Sequence, residues 1–206
     1  MREIIIENPV VAIMRKVPME QAVPYVDTVS ACGIKAVEVA LNSPAALQQI
    51  ALLKERFGTE IRIGAGTAVT VEKAREAVKA GADFLLSPSA DEDVLCYCAE
   101  QNIRLLPGVM TPSDVSLCVR YGFTVLKLFP AGDLPMGYVK SLKGPFDQTD
   151  YVAVGGVKKE NAAAFFAAGY LGVGVASNLI PKDLLSARDW EGAKQAVQSF
   201  MDEIRR

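Results

Sequence analysis

Eight short apolar runs punctuate the chain: VVAIMR from Val10, AVEVAL from Ala36, IRIGAGT from Ile61, FLLSPS from Phe84, RLLPGVM from Arg104, VLKLFPA from Val125, YVAVGGV from Tyr151 and LGVGVAS from Leu171. Each has the length of a strand, is rich in β-branched residues or leucine, and closes on Gly, Pro, Ser or Asn. The stretches between them read as helices over 18–33, 43–58, 70–81, 90–102, 111–122 and 158–169, most opening at Ser, Thr, Asp or Pro and several closing on Gly. Strand starts recur roughly every 20 to 26 residues, the length of one βα unit. Such alternation predicts a parallel sheet, and eight units in a chain of this length predict an α/β fold, a single (β/α)8 TIM barrel occupying residues 1–206. A doubly wound sheet would show fewer strands and a longer segment at its switch point.

In a barrel, side chains alternate between the packed interior and the helix layer, and functional groups gather where the strands end. In AVEVAL, Val37, Val39 and Leu41 share one face, which puts Glu38 inside with Ala36 and Ala40. In VLKLFPA, Leu126 and Leu128 face the helices, so Lys127 points inward with Val125 and Phe129. Arg15 falls on the face of Val11 and Ile13, and Thr67 on the face of Ile63 and Ala65, which is expected to aim both at the same mouth.

A lysine and a glutamate inside apolar strands require a reason, because burying an unpaired charge is costly. Two readings fit. One is an internal ion pair between Lys127 and Glu38 that only holds the barrel together. The other is a Schiff-base nucleophile: desolvation near the cation of Arg15 favours the neutral amine that attacks a ketone, with Glu38 moving the protons. A second signal sits on the last two strands. Gly155 and Gly156 close YVAVGGV and Ser177 closes LGVGVAS, at the loops where barrels commonly bind phosphate, although a glycine pair also serves simply as a turn.

Composition narrows the chemistry. The 206 residues include 22 basic and 24 acidic side chains, a net charge of -2, and no histidine. That balance gives no electrostatic case for a nucleic-acid or anionic-membrane partner. Without imidazole there is no Ser-His or Cys-His pair and no histidine-containing zinc site, so acid-base work falls to carboxylates, Lys, Tyr, Cys or water. Cys32, Cys96, Cys98 and Cys118 show no CxxC spacing and read as reduced, buried thiols, which suggests a cytoplasmic protein. The opening MREIIIENPV reads as neither a signal peptide nor a membrane span. GAGT at Gly64 to Thr67 lacks the third glycine of a dinucleotide fingerprint, which argues against a nicotinamide cofactor.

With VVAIMR, AVEVALNSP, IGAGT, LLSPS, LPGVMTPSD, VLKLFPA, AVGGV and GVGVASNL in order, the chain from about Val10 to Phe200 resembles the class I 2-keto-3-deoxy-6-phosphogluconate (KDPG) and 4-hydroxy-2-oxoglutarate (KHG) aldolase family. The resemblance implies a carbon-carbon lyase in which Lys127 forms the Schiff base and Glu38 is the acid-base group. It implies that Thr67 helps hold the substrate, and that Gly155, Gly156 and Ser177 bind its phosphate. The implied ligands are a phosphorylated keto acid and pyruvate, with no metal or organic cofactor, and the implied assembly is a homotrimer. Some members carry an arginine just after the second strand where this chain has Asn42, so Arg15 is expected to supply the carboxylate's cation. Arg15 with LNSP resembles the 2-keto-3-deoxy-6-phosphogalactonate branch. Val154 stands where many members have threonine, and Ala176 where glycine is common. The remaining alternatives are a non-catalytic phosphate-binding barrel and a barrel enzyme that uses Lys127 only as an electrostatic clamp.

Overall fold

The computed structural model describes residues 1–204. Its strand segments are β1 (Val10–Met14), β2 (Ala36–Ala40), β3 (Arg62–Gly66), β4 (Phe84–Leu86), β5 (Leu105–Leu106), β6 (Gly108–Val109), β7 (Val125–Leu128), β8 (Asp150–Val154) and β9 (Gly172–Val175). All neighbours pair in parallel, in the order β5-β4-β3-β2-β1-β9-β8-β7-β6. The two ends of that order, β5 and β6, are halves of the single run RLLPGVM separated by Pro107. Proline has no N–H to give to the ladder, but its carbonyl still accepts from the Lys127 amide at 2.8 Å. The sheet therefore closes on itself as eight staves, as the sequence predicts.

The helices are α1 (Arg2–Glu7), α2 (Ala22–Ala31), α3 (Ala46–Phe57), α4 (Val71–Lys79), α5 (Glu92–Glu100), α6 (Pro112–Arg120), α7 (Tyr138–Lys143), α8 (Lys159–Ala168), α9 (Lys182–Ala187) and α10 (Trp190–Ile204). Side chains of Thr70, Asp91 and Thr111 cap α4, α5 and α6 as the pattern suggests. Helix α3 starts at Ala46 rather than Ser43. Ser43 precedes a proline, which disfavours helical backbone, and Ala45 turns left-handed at φ +55°. Periodicity did not anticipate α1. Its Ile4 and Ile5 drop into the barrel's interior cluster with Val11, Phe84, Leu106 and Val152, plugging the end opposite the strand C-termini.

The alternation of faces is visible in two separate clusters. Val11, Ile13, Ala36, Leu86, Val125, Val152 and Val154 fill the interior, while Val10, Ala12, Val37, Val39, Leu126 and Leu128 face the helices. One expectation fails here. Ile63 and Ala65 belong to the helix-facing layer, so strict alternation does not carry Thr67 inward. The inner positions of β3 are Gly64 and Gly66, and Thr67 leaves the alternation through a left-handed backbone at φ +64°.

All four cysteines are free. Burial pushes the Cys98 thiol up to about 11 and the Cys118 thiol up to about 12, so both are inert hydrophobes. Cys96 is only half-buried. Among the described residues no helix is long and apolar enough to cross a membrane.

Candidate active site

Counted around the closed barrel, β2 is the second stave and β7 the sixth, four apart in either direction. Glu38 and Lys127 therefore project from opposite walls toward the axis. Both are almost fully enclosed, Glu38 at 2% exposed and Lys127 at 5%. Register places Glu38 between Ile13 and Gly64, and Lys127 between Gly108 and Val152, so a small residue flanks each.

The small residues make room. A Cβ on Gly66 would overlap Oε1 of Glu38 outright and lie 2.8 Å from its Cγ. The Glu38 carboxyl thus rests on the bare backbone of β3, in space that any side chain would occupy. Its Oε2 is buried with no hydrogen-bond partner. An orphaned buried acceptor is costly in a native structure, and such groups concentrate at functional sites. On the opposite wall, Lys127 Nζ sits 4.9 Å from the centre of the Phe129 ring, a face that tolerates a cation.

Electrostatics push the two groups toward neutrality. Burial raises the Glu38 carboxyl above its usual value, against the pull of Lys127 and Arg15. Burial also lowers the Lys127 ammonium; Glu38 opposes that shift and Arg15 reinforces it. Among the described residues no ion pair within 4.0 Å joins Lys127 to Glu38. The purely structural ion pair is therefore not what the barrel contains. The other lysines considered lie elsewhere: Lys140 is exposed, and Lys143 on α7 is half-buried and paired with Asp150 at 2.9 Å.

Arg15 directly follows β1 on the first stave, its side chain without a hydrogen bond or ion pair among the described residues and in electrostatic reach of both Glu38 and Lys127. It lines a cavity of about 480 Å³ together with Lys16, Gln21, Tyr25, Ser177 and Lys182. Arg15 and Ser177 are thus neighbours, because the first and eighth staves meet where the barrel closes.

The glycine pair lies on the seventh stave, beside Ser177. Gly155 and Gly156 are left-handed, at φ +86° and +72°. The Gly132 amide donates to the Gly155 carbonyl at 2.8 Å, and a Cβ on Gly156 would approach Gly132 Cα to 2.9 Å. Backbone packing therefore requires glycine here, as a turn would. The same packing turns the Gly155, Gly156 and Val157 carbonyls to donors from Gly132, Asn161 and Asn178. Among the described residues the amides of Gly156 and Ser177 donate to no backbone acceptor. Two amides on adjacent staves are therefore left without a backbone acceptor.

Sequence reasoning missed several contributors. Gly66 enters the sequence reading only within GAGT, yet its lack of a side chain houses Glu38. Tyr25 of α2, buried in the helix-facing core, also lines the cavity of Arg15, and its hydroxyl is pushed up by burial and by the charge of Glu38. Gln21 beside it is buried with Oε1 unpartnered. None of these has a local signal, since each acts across staves.

Comparison with known proteins places the chain in a family. The family model described as KDPG and KHG aldolase matches residues 1–196. The chain is 33% identical over 203 residues to the KHG/KDPG aldolase of Escherichia coli K12, covering 95% of this chain and 93% of that one. It is 29% identical over 198 residues to the 2-dehydro-3-deoxy-6-phosphogalactonate aldolase of the same organism, covering 95% and 96%. A crystal structure of the KDPG aldolase of Legionella pneumophila, with pyruvate captured at low pH as a covalent carbinolamine intermediate, matches with a TM-score of 0.89 at 27% identity over 97% of both chains.

Proposed function

Given that this chain belongs to the KDPG and KHG aldolase family and is a class I pyruvate aldolase, we propose that Lys127 is its Schiff-base nucleophile and Glu38 its acid-base group. The observation that carries this reading is the meeting of one desolvated amine and one desolvated carboxyl across the barrel axis, unpaired within 4.0 Å of each other.

The neutral Lys127 amine attacks the C2 ketone of a 2-keto-3-deoxy-6-phospho sugar acid. The carbinolamine loses water to give an iminium. Glu38, directly or through water, takes the C4 hydroxyl proton as the C3–C4 bond breaks and its electron pair passes into the iminium. Glyceraldehyde 3-phosphate leaves. The remaining enamine takes a proton at C3 from Glu38, and hydrolysis returns pyruvate and the free amine. The pyruvate carbinolamine captured in the Legionella pneumophila relative corresponds to the last covalent intermediate of this sequence, observed in that protein.

Arg15 and Thr67 orient the keto acid carboxylate, and the neighbouring Ser177 brings the phosphate end within reach of the same guanidinium. The amides around Gly155, Gly156 and Ser177 hold the phosphate. The reaction as written uses no metal or organic cofactor. Among the described residues no cluster of three or more Cys, Asp or Glu could hold a metal ion. The working form is a cytoplasmic homotrimer, a reading that rests on the family resemblance.

The substrate proposed first is the gluconate acid, with 4-hydroxy-2-oxoglutarate as a further one. One observation favours the galactonate epimer: Arg15 with LNSP resembles the motif pair of that branch. Cleavage rates on the two C4 epimers decide between them. Borohydride reduction with pyruvate tests the mechanism itself. A mass gain on Lys127, absent from Lys127→Ala, is expected; no adduct at saturating pyruvate removes the Schiff-base reading and leaves the clamp or the non-catalytic barrel.

A further inference from the structure

Among the described residues the Arg15 side chain makes no hydrogen bond or ion pair, so the backbone that presents it largely sets its aim. That backbone is unusual. Directly after Arg15, Lys16 is left-handed at φ +55°, a conformation disfavoured for a residue with a side chain and maintained only where the surroundings enforce it. The next residue but one, Pro18, has no N–H with which to anchor the segment.

Two side chains from the neighbouring βα unit supply what is missing. The Ser43 hydroxyl, in the turn after β2, accepts a hydrogen bond from the Lys16 amide at 2.8 Å. The Gln49 Nε2, on α3, donates to the Val17 carbonyl at 2.7 Å. Both are enclosed, Ser43 at 8% exposed and Gln49 at 1%, in a helix and turn whose other polar residues, Asn42 and Gln48, face solvent. A glutamine fully buried among Ile50, Leu53 and the strand layer has to satisfy its amide somewhere, and it does so on this one carbonyl. Ser43 is itself fixed, its amide donating to the Ala40 carbonyl at 2.9 Å at the end of the strand that carries Glu38.

We propose that Ser43 and Gln49 are positioning residues that clamp the Arg15–Lys16 and Val17–Pro18 peptides and thereby aim the Arg15 guanidinium at the substrate's anionic group. Neither touches the substrate. The clamp ties the first stave's cation to the second stave's turn, so Arg15 and Glu38 keep a fixed relation in the mouth. The proposal rests on the reading that Arg15 binds a substrate anion, and the test separates the two.

The experiment is a double-mutant cycle read as KM and kcat for cleavage of the phosphorylated keto acid, with Arg15→Ala, Ser43→Ala, the double variant and Ser43→Thr. Arg15→Ala is expected to raise KM by ~10-fold or more, the loss of one charge-assisted contact. Ser43→Ala is expected to raise KM ~5-fold or more with kcat within about threefold, and Ser43→Thr, which keeps the acceptor oxygen, to restore it. In the Arg15→Ala background Ser43→Ala should change KM less than twofold, because there is no guanidinium left to aim. If Arg15→Ala leaves KM unchanged, the anion-binding role of Arg15 falls. If Arg15→Ala raises KM but Ser43→Ala does not, or the two effects multiply independently, the clamp falls and the role of Arg15 stands. Gln49→Met, close in volume and unable to donate, reads the same coupling from the other arm should Ser43→Ala fail to fold.

Discussion

Replacing Gly66 by alanine tests whether the site depends on empty space beside Glu38. Gly66 lies on the inner face of β3 at an ordinary strand conformation, so alanine meets no backbone strain. What it meets is Glu38: the new Cβ would overlap Oε1 and stand 2.8 Å from Cγ. Ordinary carbon contacts begin at ~3.5 Å, so Cγ must withdraw by roughly 0.7 Å and the carboxyl oxygens by more. A displacement near 1 Å costs on the order of 100-fold in a positioned catalyst, within the ~100- to 10,000-fold that a general acid-base group contributes. Overpacking adds a stability loss of ~1–3 kcal/mol. Gly64→Ala, two positions earlier on the same face, is the control, because the nearest atoms its Cβ meets belong to the Phe84 ring, 2.7 Å at Cδ2. Both variants should melt several degrees lower. Only Gly66→Ala should lose kcat by ~100-fold while still being trapped on Lys127 by pyruvate and borohydride. Adding Glu38→Ala to Gly66→Ala should recover the melting temperature. A folded Gly66→Ala enzyme with kcat within fivefold of the parent would refute this account of Glu38.

Further outcomes follow from the same geometry. Glu38→Gln should form the pyruvate imine yet turn over ~100-fold or more slowly; near-parental kcat would assign the proton transfer to another group. Lys127→Met should abolish turnover and raise the melting temperature at neutral pH, since it removes a buried cation. The lowered Lys127 value means that folding disfavours the proton, so this penalty is fully present below the folded value and fades as pH rises toward the ordinary 10.5. Melting curves of both proteins should therefore converge at alkaline pH, and a gap that widens there would contradict the assignment. For the same reason the rate of pyruvate imine trapping should inflect below 10.5, in contrast with a surface lysine. Cys98 and Cys118 should resist alkylation at neutral pH until the protein is denatured, as thiols raised to about 11 and about 12 require; rapid labelling of the native protein would show that they are accessible.

Much of this protein follows from its sequence because the informative patterns are local. Apolar runs of strand length at a regular interval imply eight staves, and period-two alternation is enough to put Glu38 and Lys127 inside, where a charge between leucines is conspicuous. The absence of histidine narrows the remaining chemistry to that pair. What alternation cannot give is the behaviour of residues that leave it. The face that Thr67 shares with Ile63 and Ala65 is not the inner one, because those two face the helices, and a left-handed backbone at Thr67 ends the regular pleat. Helix α1 was missed because three isoleucines in six residues carry no period; only the open end of the barrel gives them a place to be buried. Ring closure made the larger decisions. It set the second stave opposite the sixth, so that amine and carboxyl face each other across the axis, and it set the first beside the eighth, so that Arg15 shares a cavity with Ser177. The space beside Glu38 and the clamp on Lys16 are contacts between neighbouring staves, whose partners lie 28 and 27 residues apart in the chain. A hydrogen bond or a van der Waals overlap depends on position in three dimensions, and the chain brings those atoms together only once the barrel has closed.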